Sequence, residues 1–163
     1  MSDLQRLDPR YVTVQRITGW IMFAIIMSVW TMGFAIVFWT GEQGLRWILW
    51  TIGVSGAMLA PLLIWLATGW PALSYRYAAY RIDDLGMEIH SGAFIRSITT
   101  VPRSRVQHTD VEQGPLERRF GLGTLVVYTA GTHHARVELP GLEYDTAKRM
   151  RDMLLPKHGA DAV

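Results

Sequence analysis

The charged residues of this chain are distributed very unevenly along the sequence. Of its 30 Asp, Glu, Lys and Arg residues, only Glu42 and Arg46 lie between Gly19 and Trp70, and all seven tryptophans lie in that interval. A soluble fold has no reason to divide in this way, because its surface helices and strands carry polar residues along their whole length. The distribution therefore predicts a membrane protein in which an apolar segment is joined to a charged remainder.

Two runs without charge account for the apolar segment. Residues 19–39 and 47–70 contain no charged side chain, and tryptophans lie at or near both ends of each run. A helix over the first run is about 31 Å long, which matches the hydrocarbon thickness of a bilayer, and interfacial tryptophans are typical of spanning helices. Core helices of a soluble fold and a cleaved signal peptide are the alternatives, but the runs are too long for either. We predict two transmembrane helices at these positions, with residues 40–46 as an external loop.

The flanking charges predict the orientation of this hairpin. Five arginines flank it at residues 6, 10, 16, 76 and 81, whereas the loop carries only Arg46. The positive-inside rule then places both termini in the cytoplasm and the chain in the inner membrane. Residues 1–18 are expected to form a cytoplasmic N-terminal segment. The small residues of Gly53-x-x-x-Ala57 and Gly56-x-x-x-Ala60 would let another helix approach, most simply the first helix of the hairpin.

Composition and motifs exclude several functions. The chain has no cysteine, which excludes disulfides and cysteine-based zinc sites. Its net charge is only +2, whereas a nucleic-acid-binding protein normally carries a concentrated basic surface. The adjacent His133 and His134 fit an exposed turn better than a metal site. Catalytic motifs such as HExxH, the P-loop and G-x-S-x-G do not occur. We therefore expect a non-enzymatic protein with no catalytic residues, cofactor or metal.

The sequence pattern of residues 71–155 predicts short strands followed by one helix. An apolar stripe at helical spacing (Tyr144, Ala147, Met150 and Leu154, with Met153) predicts a helix with Glu143 and Asp145 in its first turn and Pro156 as its stop. Residues 156–163 are expected to be a disordered tail. The predicted strands are Tyr75–Ile82, Met87–Ser91, Ala93–Val101, Arg105–Val111, Leu122–Ala130 and a strand through Ala135 and Leu139. This order predicts an α+β, mainly β, barrel or sandwich capped by a C-terminal helix.

Three motifs in this part resemble a known family. They are Val101-Pro102-Arg103-Ser104-Arg105-Val106-Gln107, the run from Gln113 to Leu122 (Gln-Gly-Pro-Leu-Glu-Arg-Arg-Phe-Gly-Leu), and Gly141-Leu142 before the last helix. Together with Leu7-Asp8-Pro9 before the first membrane run, they resemble bacterial pleckstrin-homology-like (PH-like) proteins of the membrane-flanked YdbS type. The resemblance implies a PH-like barrel after two transmembrane helices, and assembly with a larger sister membrane protein of the YdbT type. It implies no chemical activity.

Four arginines are candidates for a binding site. Arg103, Arg105, Arg118 and Arg119 could converge on the phosphate of an anionic phospholipid, because guanidinium groups match phosphate oxygens. The alternative is a short helical turn in which Leu116 and Phe120 pack on the barrel while Glu117 and the arginines face water. The near-neutral charge of this part, together with its apolar helix, favours a module that helps assemble a membrane protein complex, and this is the function that we expect. The alternative is a sensor of anionic lipid headgroups.

Overall fold

The computed structural model describes residues 4–40, 46–83, 85–130 and 136–154. These residues form two compact units. One unit covers residues 15–72, and the other joins the first 14 residues of the chain to residues 73–163. The N-terminal segment expected over residues 1–18 is therefore divided, and its first part is grouped with the domain that follows the second membrane run.

Two long helices contain the apolar runs. They are α1 (Arg10–Thr40) and α2 (Arg46–Tyr77). Both are long and apolar enough to cross a membrane. Their most apolar stretches have mean hydropathies of 2.3 and 1.8, and no part of these stretches is buried within the described structure. Helices in the core of a soluble protein would be mostly buried. The lack of burial therefore favours lipid as the surroundings of these helices.

Both helices extend beyond the uncharged runs. The strand predicted from Tyr75 was wrong at its start, because residues 75–77 form the last turn of α2 and the strand begins only at Ala79. The aromatic residues favoured a strand by composition. In the structure the hydroxyl of Tyr75 donates a hydrogen bond of 3.0 Å to the carbonyl oxygen of Leu7. This contact comes from a residue 68 positions away, so local propensity could not indicate it.

Small residues allow α1 and α2 to approach each other closely. A methyl group added at Gly19 would lie 2.8 Å from Cα of Ala67, and one added at Gly56 would lie 2.7 Å from Nε1 of Trp30, whereas Gly53 faces open space. Residues near the start of α1 thus contact residues near the end of α2, which defines an antiparallel pair. Of the two predicted small-residue motifs, only the one that begins with Gly56 has its glycine at this helix contact.

The other unit contains two antiparallel sheets and two helices. The first sheet has the order β1-β2-β3-β4 and the second has the order β5-β6-β7. The elements of the first sheet are β1 (Gln5–Arg6), β2 (Ala79–Asp83), β3 (Gly86–Ser91) and β4 (Ser97–Pro102). After a 3₁₀ turn at Arg103–Arg105 follow β5 (Val106–Glu112), α3 (Pro115–Phe120), β6 (Leu122–Thr129), β7 (Arg136–Glu143) and α4 (Tyr144–Leu154). The predicted sandwich with a C-terminal helix is confirmed.

Two parts of the first sheet differ from the prediction. β4 begins at Ser97 and not at Ala93, because residues 92–96 form the connection from β3. Gly92 has φ +100°, and a Cβ there would lie 1.8 Å from the carbonyl oxygen of Ile95, so the chain turns back at this point. β1 was not predicted at all. A two-residue strand has too few residues to show a period of its own.

The core of this unit lies between the sheets and α4. Ala147, Met150 and Leu154 are buried on α4, which confirms the helical stripe, but Met153 is 54% exposed and does not belong to it. The core cluster of buried residues is Leu7, Tyr80, Met87, Val101, Val106, Leu125, Val127, Val137, Leu139, Leu142, Ala147, Met150 and Leu154. Leu7 is the one member that precedes the membrane helices. The tail predicted over residues 156–163 lies outside the described residues.

Candidate functional site

The motif from Gln113 to Leu122 folds into a helix held at both ends. Gly114 precedes α3, and its N–H donates 2.8 Å to Oε2 of Glu117, while the hydroxyl of Thr124 donates 3.1 Å to Oε1 of the same carboxylate. The side chain of Gln113 donates 2.6 Å to the carbonyl oxygen of Leu122. The expectation that Glu117 faces water was wrong. Its carboxylate ties the start of α3 to β6, so this part of the motif stabilises the fold.

The other end of α3 depends on a left-handed glycine. Gly121 has φ +68° and its N–H donates to the carbonyl oxygen of Arg118, which ends the helix before β6. Leu116 and Phe120 are half-buried, and Arg118 and Arg119 are exposed. The packing of the two apolar residues on the barrel stays a prediction, which this half-burial supports.

The four candidate arginines form two pairs at opposite ends of β5. Arg103 and Arg105 precede this strand, whereas Arg118 and Arg119 follow it on α3. The N–H of Ala130, just beyond one end of β6, donates to Arg105, and α3 leads into the other end of β6. A seven-residue strand spans about 23 Å, so one phosphate does not contact both pairs. Headgroup binding by either pair stays a prediction.

The motifs around Leu7 and Gly141 meet in the structure. The N–H of Asp8 donates 2.9 Å to the carbonyl oxygen of Gly141, and a carboxylate oxygen of Asp8 accepts 2.8 Å from the N–H of Arg10 at the start of α1. Gly141 has φ +72°, and a Cβ there would lie 2.6 Å from the ring of Tyr11. These residues hold the beginning of α1 against β7, which accounts physically for the pattern that the resemblance used.

Tyr80 holds the N-terminal strand from the sheet side. Its hydroxyl donates 3.0 Å to Oε1 of Gln5, and Gln5 and Tyr80 are partners in the β1–β2 register. Burial raises the pKa of the Tyr80 phenol above its usual value, so the hydroxyl stays protonated and available as a donor. The polar group is therefore satisfied within the core.

A second set of arginines, not singled out as a site from the sequence, lines an open cavity of about 510 Å³. Arg6 comes from β1, Arg76 from the last turn of α2, and Arg96 from the connection before β4, and His90 on β3 lies between them. The signal in the sequence was the position of Arg6 and Arg76 beside the membrane runs, where they contributed only to the charge count. The register of the sheet brings Arg96 to the same cavity.

The edge of β4 borders another cavity, of about 300 Å³. The whole strand lines it, together with Arg105, Thr129 and Ala130 at the ends of the second sheet. Its lining carries a single charged residue, Arg105. Within the described residues, this groove and the arginine-lined cavity both have room for a ligand.

No group of three or more metal-ligating side chains occurs among the residues that the structure describes. His133 and His134 lie outside those residues, so the predicted exposed turn is not tested. Within the same described ranges no constellation of nucleophile, base and orienting group was found around either cavity.

Comparison with known proteins defines the class. A family model described as the bacterial PH domain matches residues 11–158. This chain belongs to that family, and its two sheets and C-terminal helix are the fold expected of it.

A curated relative adds the membrane context. The chain is 34% identical over 109 residues to the UPF0699 transmembrane protein YdbS of Bacillus subtilis (strain 168), a match that covers 67% of each protein. The predicted resemblance to YdbS-type proteins is thereby confirmed, and the chain is a membrane protein that carries a PH-like domain. No solved structure matches the chain.

Proposed function

We propose that this protein is a non-enzymatic, membrane-anchored interaction module that helps assemble a membrane protein complex. Its PH-like domain binds an extended segment of the partner by adding that segment as a strand next to β4. The partner is a larger sister protein of the YdbT type, as the family resemblance implies. The observation that carries the proposal is the open, uncharged edge of β4.

The composition of β4 suits strand addition. The strand reads Ser-Ile-Thr-Thr-Val-Pro, pairs with β3 on one side and forms the edge of its sheet on the other. Exposed edges present unpaired backbone donors and acceptors, and proteins normally protect them with charges, prolines or bulges. β4 has no charged residue, and its one proline, Pro102, is its last residue. Its backbone is therefore available to an incoming strand.

The other edge strands are protected. β1 has only two residues, β5 carries charged residues and a register shift between Val106 and His108, and β7 carries Arg136, Glu138 and Pro140. Among the described strands, β4 is thus the longest edge without a charge. The cavity beside it supplies room for the side chains of an added segment.

A photo-crosslinking amino acid at Thr100, an exposed position on β4, tests this proposal in native membranes. We expect it to capture a larger membrane protein with PH-like domains, identified by mass spectrometry. Lysine at Ile98 should lower this capture about tenfold, because a charge on the edge opposes strand pairing. Valine at Ile98 is the matched control, since it keeps the strand propensity and adds no charge.

The negative outcomes are equally defined. A crosslinker at the exposed Asp145 of α4 should capture nothing specific. Crosslinks from position 100 only to a second copy of this chain, or to no protein, would contradict the proposal. Equal capture by the lysine and valine variants would show that the partner does not use the β4 edge.

We further propose that both termini and the PH-like domain face the cytoplasm, which the excess of flanking arginines supports. Because the chain has no cysteine, single cysteines at Gln43 and Ser91 can be labelled without background. An impermeant maleimide added to intact cells should label position 43 and leave position 91 unlabelled. Labelling of position 91 from outside would refute this orientation.

A further inference from the structure

We propose that the cavity between Arg6, Arg76 and Arg96 binds the phosphate of an anionic phospholipid headgroup, while the adjoining Phe94–Ile95 tip enters the interface of the same bilayer. This surface is separate from the arginine pairs beside β5. It also goes beyond the assembly function, which uses the backbone edge of β4.

The floor of the cavity is one row of residues across the first sheet. Arg6 on β1 is the register partner of Ala79 on β2, Ala79 is the partner of His90 on β3, and His90 is the partner of Ile98 on β4. Partners in register point to the same face of a sheet, and all four residues line the cavity. With strands about 4.8 Å apart, Arg6 lies about 10 Å from His90. Arg76 and Arg96 complete the wall from α2 and from the loop.

The charge of this surface is not neutralised within the domain. The lining contains three arginines and no carboxylate, and within the described residues none of these arginines forms a salt bridge. The nearby carboxylate of Glu88 is already engaged, at 2.6 Å from His90 and 2.6 Å from Arg81. Arg81, Arg136 and Arg151 all have carboxylate partners. Three exposed arginines that line one cavity, without a carboxylate partner among the described residues, define a site for an external anion.

The loop beside this site exposes two large apolar side chains. Phe94 is 76% exposed and Ile95 is 84% exposed, at the tip of the β3–β4 connection. Gly92 gives the loop its tight turn. Its φ of +100° is a conformation that favours glycine, and a Cβ there would collide with the carbonyl oxygen of Ile95. The tip therefore presents Phe94 and Ile95 from a defined backbone conformation. An aromatic and an aliphatic residue beside arginines are the combination found on surfaces that enter a membrane interface.

The sequence puts these residues next to the bilayer. Arg76 follows Trp70 by six residues of the same helix, a rise of about 9 Å. Arg6 precedes the first residue of α1 by four positions. Both arginines are thus only a few residues from the membrane runs in the sequence. A lipid headgroup is the phosphate that such a site meets at the highest local concentration.

The chemistry of the lining selects an anionic lipid over a neutral one. Guanidinium groups donate forked hydrogen bonds to phosphate oxygens, and each arginine near an anionic surface adds to the attraction. Removing three such arginines should weaken docking about 100-fold. A bilayer of zwitterionic lipid should bind the tip weakly, through its apolar residues alone.

The test uses the full chain, one copy per nanodisc, with a single cysteine at Ile95 that carries an environment-sensitive fluorophore. In phosphatidylcholine mixed with phosphatidylglycerol we expect blue-shifted emission and quenching by nitroxide-labelled lipid. The matched position is Leu85, which is 83% exposed in the β2–β3 turn. It lies at the other end of β3, about 20 Å away along the strand, and its label should report water.

The arginines are tested with two variants that lower the charge equally. Replacing Arg6, Arg76 and Arg96 with glutamine should lower the phosphatidylglycerol-dependent docking about 100-fold. Replacing Arg136, Arg149 and Arg151, which lie on β7 and α4 outside the candidate anion sites, should leave it near its original value. A label at position 95 that reports water in both lipids would overturn the proposal. So would docking that is equal in phosphatidylcholine alone, or equal losses in the two triple variants.

Discussion

Replacing Gly141 with alanine is expected to destabilise the PH-like unit by about 2–4 kcal/mol. Two effects add at this position. The backbone has φ +72°, which disfavours any side chain, and the new Cβ would lie 2.6 Å from Cγ and 2.9 Å from Cβ of Tyr11. Because Tyr11 lies in the first turn of α1 and Gly141 in β7, the substitution should also loosen the contact between that turn and β7. Urea unfolding of the full chain, followed by pulse proteolysis, measures the loss.

Gly121 provides the matched control for this prediction. Its φ is +68°, close to that of Gly141, but a Cβ added there would meet nothing within 4 Å. Gly121→Ala should therefore lose only the backbone contribution, about 1–2 kcal/mol. If both variants lost the same stability, the ring of Tyr11 would have moved aside without cost, and the proposed close contact with α1 would be refuted.

Replacing Leu7 with alanine is expected to cost about 3 kcal/mol of unfolding free energy. Leu7 is only 5% exposed and belongs to the core cluster of the PH-like unit, although it precedes both membrane helices in the sequence. Shortening it removes apolar contact area and leaves a cavity that the surrounding strands fill only in part. The same pulse-proteolysis measurement should show cleavage sites in the domain becoming accessible at a lower urea concentration.

Leu4 is the control for this second prediction. It is three positions earlier on the same segment, is the same residue type and is 52% exposed. Leu4→Ala should change stability by less than about 0.5 kcal/mol. Equal and small effects at both positions would show that the N-terminal segment does not contribute to the core in the way the structure indicates.

Both predictions concern contacts between residues far apart in the chain, which sequence patterns do not reveal. The strand predicted over Leu122–Ala130 is β6, which ends one residue earlier, and the predicted C-terminal helix is α4, because each has a clear period and defined end signals. Glu143, expected in the first turn of that helix, is instead the last residue of β7. The start of β4 and the strand β1 were missed. In the first case the turn at Gly92 interrupts a run that looks continuous by composition, and in the second two residues are stabilised only by pairing with β2.

In the candidate sites, too, the sequence does not reveal which residues lie close together in space. The arginines of the family motifs stood out because they are close together in sequence, yet β5 separates them into two pairs. The residues around them hold α3 in place through Glu117, Gly114 and Thr124. A motif that is prominent in sequence can thus describe how a domain folds, whereas a binding surface is assembled from residues with no motif in common.

The sequence by itself determined the membrane hairpin, the family and most of the secondary structure. The hairpin and the secondary structure follow from charge distribution and from periods of two or 3.6 residues, which are local and readable along the chain. The family follows from the resemblance of short motifs, which are local as well. Only the tertiary structure decided that Leu7 completes the core, that β4 is the unprotected edge, and that Arg6, Arg76 and Arg96 share one cavity. Each of these depends on which strands become neighbours and in which register, and that choice is made by packing across the whole domain.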